Sequence, residues 1–301
     1  MNKIPVTRTI AEAYRFTFAG LEKVIGLVWL PVVTLTVGSY FAVGPQLSGL
    51  AAAMESGDIG RQGPIMAGMF LFELVCIVLV SVIAVAITRE ILNPLKRPLF
   101  LRFGLGGMEF RLVGAMIGLY VLMIFFILAL IALAAALGFF VNSLMPAGPA
   151  GLAGPSRGAA FAVLIGLVLS PVLLYIMVRL SFLVAPSVVM EGKYGIERSW
   201  RLTKGNFWRI VAISLAVALP ILVVSMVAQF AILGPEYFNP HLELLKDQAA
   251  QARHSAENMR KLAANLPLLM GANFLLAPFL YGLMFATPAF AYKALTAQAK
   301  D

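Results

Sequence analysis

The chain has 301 residues, of which 61% are hydrophobic and 12% charged, with a mean hydropathy of +0.92 and a net charge of +9. Ordinary soluble domains carry about 25% charged residues, so the composition excludes that class. Several apolar stretches are about 20 residues long, which is enough for a helix to cross a bilayer. They do not alternate as barrel strands do, and we expect an all-α integral membrane protein.

Six apolar stretches predict six transmembrane helices in a single membrane domain that covers residues 1–301. The predicted spans are about 22–43, 64–89, 112–141, 159–185, 209–234 and 266–292. The connection 235–265 is polar, and we expect it to form a helical loop outside the membrane. Seventeen Lys and Arg residues fall on the side of the two termini and six on the other side, so both termini are predicted to be cytoplasmic.

The segment 198–209, RSWRLTKGNFWR, is the densest run of charge and indole in the chain. At the edge of the fifth span its cations are expected to reach lipid headgroups, or acidic partners such as Glu191 and Glu197, while its rings face the acyl boundary. The residues assigned to this interface are Arg198, Trp200, Arg201, Lys204, Trp208 and Arg209. Because only 23 residues separate the flanking spans, a nucleic-acid-binding module does not fit there.

Three glycines, Gly20, Gly107 and Gly205, stand about 90 residues apart, and each lies just before a cation at the start of a span. We interpret them as hinges, and we expect Gly205 to end a surface helix in a left-handed conformation. The spacing suggests three repeated units, each made of a cytoplasmic interfacial helix and two spans. The alternative is that every cytoplasmic edge collects Arg, Gly and aromatic residues for the same physical reason.

One carboxylate, Glu73, lies deep in an apolar run, at a depth similar to those of Asn273 and Gln229 on the last two spans. An acid inside the membrane is a candidate functional residue, so these three side chains could form a proton or cation site. They could equally form hydrogen bonds that hold helices together.

The outer loop contains an apolar seam with spacings of three and four between residues 242 and 263. It favours a helix packed on the protein's own surface, with a binding surface for a partner protein as the alternative. His241, His254 and Glu257 lie in the same loop, but two solvated histidines are the simpler interpretation, and no metal or other cofactor is predicted. No HExxH, GxSxG or P-loop motif occurs, so we expect no enzyme activity.

The segment 185–209, APSVVMEGKYGIERSWRLTKGNFWR, resembles the membrane domain found with some glycerophosphoryl diester phosphodiesterases, and related stand-alone bacterial six-span proteins. The shared features are a proline, a Glu-Gly turn and an Arg-Ser-Trp-x-Leu-x-Lys-Gly run before the next span. The resemblance implies a bacterial inner-membrane location and a link to lipid or envelope biology. Phosphodiesterase activity is not implied, because the chain has no soluble stretch long enough for the catalytic barrel.

Two functions agree with these features. The first is a non-enzymatic scaffold, or a lipid- or envelope-associated factor, that binds membrane lipids, preferentially anionic ones, on the cytoplasmic side. The second is a small secondary transporter or channel that uses Glu73, for which the mid-span prolines Pro171, Pro220 and Pro278 are weak support. A water-accessible cavity that reaches Glu73 would favour the second function.

Overall fold

The computed structural model describes residues 3–94, 106–144, 157–238 and 248–297, and within these ranges it contains helices and no strand. A single 3-10 turn, Pro235–Phe238, follows the eighth α-helix. In chain order the α-helices are α1 (Val6–Ala19), α2 (Leu21–Ser56), α3 (Ile59–Leu92), α4 (Gly107–Leu144), α5 (Arg157–Ser181), α6 (Val184–Glu191), α7 (Ile196–Leu202), α8 (Phe207–Leu233), α9 (Gln248–Ala264) and α10 (Leu266–Ala297).

Six segments of this fold are long and apolar enough to cross a membrane. They are α2, α3, α4, the pair α5 and α6, α8, and α10. The prediction of an all-α protein with six spans is therefore confirmed, and the protein is a multi-pass membrane protein.

The connection between the first two predicted spans, residues 44–63, is almost entirely helical. Helix α2 continues to Ser56, and Gly57, with φ +68°, closes it. Asp58 then caps α3 by accepting a hydrogen bond from the backbone N–H of Arg61 at 3.2 Å. The extension of α2 beyond the apolar run is possible because α9 packs along it, burying Ala51 and Ala256.

One end of the bundle is much more tightly packed than the other. This end, which carries α1, α6 and α7 and is called the α1 end below, buries α3 from Val82 to Ile87. The opposite end, called the α9 end, leaves large apolar side chains such as Phe41 and Leu275 mostly exposed. Since these helices are membrane spans, the exposed apolar surface lies where lipid or another apolar partner must cover it.

The first helix, α1, is integrated into the bundle, which corrects the expectation of a helix lying on the membrane surface. It buries the face formed by Thr9, Ala13 and Thr17 and packs on α10 and α8. At Gly20 the chain turns directly into α2, and a Cβ there would lie 2.5 Å from the carbonyl oxygen of Phe16. Gly20 therefore occupies a turn that tolerates no side chain, in agreement with a role as a hinge.

The proposed threefold repeat is matched in two places by the described structure. Short helices precede two of the three hinge glycines, α1 before Gly20 and α7 before Gly205. Gly107 is the first residue of α4, and the segment 95–105 that precedes it lies outside the described residues. The repeat therefore stays a prediction.

Candidate functional site

The segment that resembles a known membrane domain packs where α5 ends and α6 begins. The hydroxyl of Ser199 donates to the carbonyl of Arg179 at 2.8 Å and accepts from the N–H of Leu183 at 3.1 Å. In an unbroken helix the Leu183 N–H would donate directly to the Arg179 carbonyl, four residues earlier. The Ser199 side chain is thus inserted into the helical hydrogen-bond ladder and accounts for the break in the fourth span.

A buried cation, Arg179, lies beside this break and is 6% exposed. Its guanidinium donates to the carbonyl of Trp200 at 2.6 Å and to the hydroxyl of Tyr175 at 2.8 Å. The Trp200 ring covers it at 3.8 Å from the ring centroid. Its Nε also donates to the Thr203 hydroxyl at 3.4 Å. No carboxylate pairs with Arg179 among the described residues, so these three acceptors and the aromatic face stabilise the charge. We call Arg179, Ser199 and Trp200 the arginine clamp.

Side chains at the start of α8 bind the backbone of the N-terminal segment. Asn206 Oδ1 accepts from the N–H of Ile4 at 3.0 Å, and Arg209 donates to the carbonyl of Ile4 at 2.8 Å. Ile4 itself is completely buried. The N-terminal segment and the connection between α7 and α8 are therefore joined by specific hydrogen bonds, which a tail lying loosely on lipid would not make.

The structure corrects part of the predicted lipid interface in residues 198–209. The Trp200 ring, expected at the acyl boundary, faces Arg179, and Arg209 binds Ile4. Two of the cations instead agree with the expected alternative of acidic partners, since Arg198 pairs with Glu191 at 2.7 Å and Arg201 with Glu197 at 3.6 Å. Lys204 and Trp208 are the members of the set that remain exposed without such a partner in the described part of the chain.

Gly205 has φ +76°, so the left-handed conformation predicted for it is confirmed. The preceding helix, α7, ends earlier than expected, at Leu202. The next residue, Thr203, still has helical backbone angles. The Thr203 hydroxyl donates to the Ser199 carbonyl at 2.7 Å. The left-handed residue therefore reverses the chain after an additional turn and directs it into α8.

A group of exposed cations at the α1 end has no carboxylate partner among the described residues. By contrast, Arg8 and Lys23 form ion pairs with Glu12 and Glu90 at the same end. We call the exposed cations without a carboxylate partner the basic rim. Its members are Lys3, Arg15, Arg111, Lys193, Lys204 and Lys293.

The three polar residues predicted to cluster inside the membrane do not bind one another in the described part of the chain. Glu73, Asn273 and Gln229 lie on α3, α10 and α8, each with an exposed side chain. No hydrogen bond or ion pair in the described structure joins any two of them. Glu73 instead borders a cleft of about 180 Å³ between α3, α4 and α10.

The outer helix α9 uses its apolar seam within the protein. Ala256 on that seam is buried, and α9 packs along the extension of α2, where Arg260 also pairs with Glu55. This packing favours the interpretation that residues 242–263 cover the protein's own surface, although the part before Gln248 lies outside the described residues. His254 contacts Asn258 at 3.2 Å, and His241 also falls outside them.

In comparisons with known proteins, no family model, no curated protein and no solved structure matches this chain.

Sequence reasoning missed the arginine clamp. In the sequence, Arg179 is one more cation near the end of a span, and Ser199 has no distinguishing feature. A signal is nevertheless present, because Arg179 is followed by the apolar run 180–190, interrupted only by two serines and a proline. A cation with apolar sequence on both sides lies within a span and not at its end, which points to a buried site with its own partners.

Proposed function

We propose that the protein is a non-enzymatic scaffold of a bacterial inner membrane that binds anionic lipid at its cytoplasmic face. The observation that carries the proposal is the basic rim, six exposed cations at the tightly packed end of the bundle. Cations near an anionic leaflet are attracted by about 1 kcal/mol each. The tightly packed α1 end carries these cations, and the apolar surface at the α9 end is left to the lipid.

The orientation with both termini in the cytoplasm and the link to envelope biology belong to the same proposal. The excess of Lys and Arg at the α1 end supports this orientation. The resemblance of residues 185–209 to a bacterial membrane domain supports the location. The internal hydrogen bonds of that segment suggest that its sequence pattern is constrained by the arginine clamp and not by a substrate.

Labelling of single cysteines tests the orientation. In a Cys76→Ala background, a membrane-impermeant maleimide added to intact cells is expected to label Glu257→Cys on α9 and to leave Lys204→Cys unlabelled. Both positions are exposed, so a difference in labelling reports the side of the membrane. After the cells are opened, both variants are expected to react. Labelling of Lys204→Cys in intact cells would contradict the proposed orientation.

Paired and unpaired cations provide a matched test of lipid binding. Lys193 and Lys204 of the basic rim are exposed and lack a carboxylate partner in the described structure, whereas Arg8 and Arg201 have one. Replacing Lys193 and Lys204 by Gln is expected to weaken phosphatidylglycerol binding by about 2 kcal/mol, roughly 30-fold. The readout is native mass spectrometry of the purified protein in neutral detergent.

The double Gln variant of Arg8 and Arg201 changes the net charge by the same amount. Its effect is expected to be several-fold smaller, because Glu12 and Glu197 already neutralise these cations. Equal weakening by both variants would mean that only net charge matters and that the rim has no role of its own.

A second function, a small transporter or channel, is favoured by one observation. A cleft between three spans borders Glu73, and access of water to it would separate the two functions. We keep the scaffold as the main proposal, because α3 is buried from Val85 to Ile87, past the cleft residue Ala84, and closes the bundle there. Among the residues that line the cleft, Cys76 is the one ionisable residue besides Glu73.

A further inference from the structure

The cleft beside Glu73 has a defined size and position. It lies between α3, α4 and α10, and its volume is about 180 Å³. A cavity of about 150 Å³ in another protein accommodates benzene, so the cleft can hold one aromatic ring or a branched alkyl group.

The carboxylate of Glu73 faces this cleft without a cation from the protein. Its side chain is exposed on a membrane-spanning helix, and no Lys, Arg or His pairs with it in the described residues. An acid inside a span is costly unless another group compensates it. The compensating group is therefore expected to come from outside the chain.

The walls of the cleft show which kind of cation fits. Met116, Met284 and Phe285 line it, and their thioethers and ring are polarisable apolar groups. An inorganic cation needs several oxygen ligands, typically six or more for Ca²⁺ and Mg²⁺. The cleft offers one carboxylate and one hydroxyl, which are too few. An organic cation instead requires one anionic group and an apolar or aromatic surface, and both are present.

A second polar group lies further along the same cleft. Ser81 borders it, is 1% exposed, and its hydroxyl has no hydrogen-bond partner. Eight residues separate Ser81 from Glu73, which corresponds to about 12 Å along a helix. A buried hydroxyl without a partner is unfavourable. Because a hydrogen bond of about 2.8 Å at each end takes up part of this distance, a ligand with a polar atom roughly 6–8 Å from its cation would satisfy the hydroxyl.

We propose that the cleft binds a small arylalkyl amine, with its ammonium group at Glu73, its ring among Met116, Met284 and Phe285, and a polar atom at Ser81. The proposal deepens the second function, because it names a ligand for the Glu73 site. It does not depend on transport: a protein that binds such amines but does not exchange them across proteoliposomes would contradict the transporter and leave the binding site intact.

Cys76 is the only cysteine of the chain and lines the cleft, so it reports occupancy. The experiment measures alkylation of Cys76 by N-ethylmaleimide in lipid nanodiscs, with direct binding of each radiolabelled probe in parallel. The probes are phenethylamine, its neutral isostere propylbenzene, and tyramine, which adds one hydroxyl to phenethylamine. Phenethylamine is expected to protect Cys76 and to bind at least tenfold more tightly than propylbenzene.

Two variants separate the roles of the polar groups. Glu73→Gln is expected to lower phenethylamine affinity at least tenfold and to leave propylbenzene unchanged. The wild type is expected to bind tyramine more tightly than phenethylamine, through the hydroxyl that reaches Ser81, and Ser81→Ala is expected to abolish this preference. Glu197→Gln removes an exposed carboxylate outside the cleft and is the matched control, with no effect expected. Equal binding of phenethylamine and propylbenzene by the wild type, or unchanged phenethylamine binding in Glu73→Gln, would overturn the proposal.

Discussion

Replacing Gly282 by Ala is expected to destabilise the protein by about 2–3 kcal/mol, because α1 and α10 are in direct contact at this residue. A Cβ at Gly282 would lie 2.7 Å from Thr17 Cγ2, 3.0 Å from Thr17 Oγ1 and 3.2 Å from Val24 Cγ1. Both neighbours are completely buried and have no room to move. The measurement is the unfolding midpoint of the purified protein in a denaturing detergent.

Two further variants show whether this contact is the cause. Gly271 lies on the same helix, and no atom lies within 4 Å of the position that its Cβ would take. Gly271→Ala is therefore expected to be neutral or slightly stabilising. Thr17→Ala removes both atoms that clash first, and its hydroxyl has no hydrogen-bond partner to lose. The double variant of Thr17 and Gly282 is therefore expected to recover most of the lost stability. Without that recovery, the close approach of α1 and α10 would not explain the effect.

Replacing Gly195 by Ala is expected to have a similarly large effect, about 3 kcal/mol. Gly195 precedes α7 with φ +75°, a conformation that costs an L-residue about 1–2 kcal/mol. In addition, a Cβ would lie 2.9 Å from the carbonyl oxygen of Val184 and 3.1 Å from the side chains of Ser187 and Val188. The backbone oxygen cannot move without disrupting α6, so the variant is expected to displace α7 and with it the arginine clamp.

Gly57 provides the comparison for this prediction. It has φ +68° but no atom within 4 Å of a Cβ, so Gly57→Ala carries the conformational cost alone, about 1 kcal/mol. The difference between the two unfolding free energies measures the clash at Gly195. Loss of the clamp can be followed separately through the fluorescence of Trp200, in a background with Trp29 and Trp208 replaced by Phe. Equal stability of Gly57→Ala and Gly195→Ala would show that α6 yields to the added methyl group.

Elements whose signal is local can be predicted from the sequence. The six spans follow from runs of about 20 apolar residues, and the left-handed Gly205 follows from a glycine after a short amphipathic stretch. The extension of α2 beyond its predicted span has no such local signal, because it depends on α9, which packs along it. A contact between residues about 200 positions apart leaves no local pattern.

The site is harder to predict for the same reason. The charge of the run RSWRLTKGNFWR predicts a lipid contact. Lipid headgroups and buried hydrogen-bond acceptors both favour Arg and Trp, so the sequence alone does not distinguish them. Its Trp200 proves to cover a cation 21 residues earlier, and its Asn206 binds Ile4, 202 residues earlier. Conversely, the depth of Glu73 in its span is readable from the sequence, but the cleft depends on how α4 and α10 approach α3.

The packing of α1 also has a consequence for how the chain is assembled during synthesis. Helix α1 leaves the ribosome well before α8 and α10, on which its Thr9, Ala13 and Thr17 face packs. At about 5–20 residues per second, the delay is on the order of ten seconds to a minute. During this time a nascent amphipathic helix without its partners is held best by the membrane surface. The surface helix expected from the sequence would then be an intermediate of biogenesis, and docking of α1 would be the step that completes the fold.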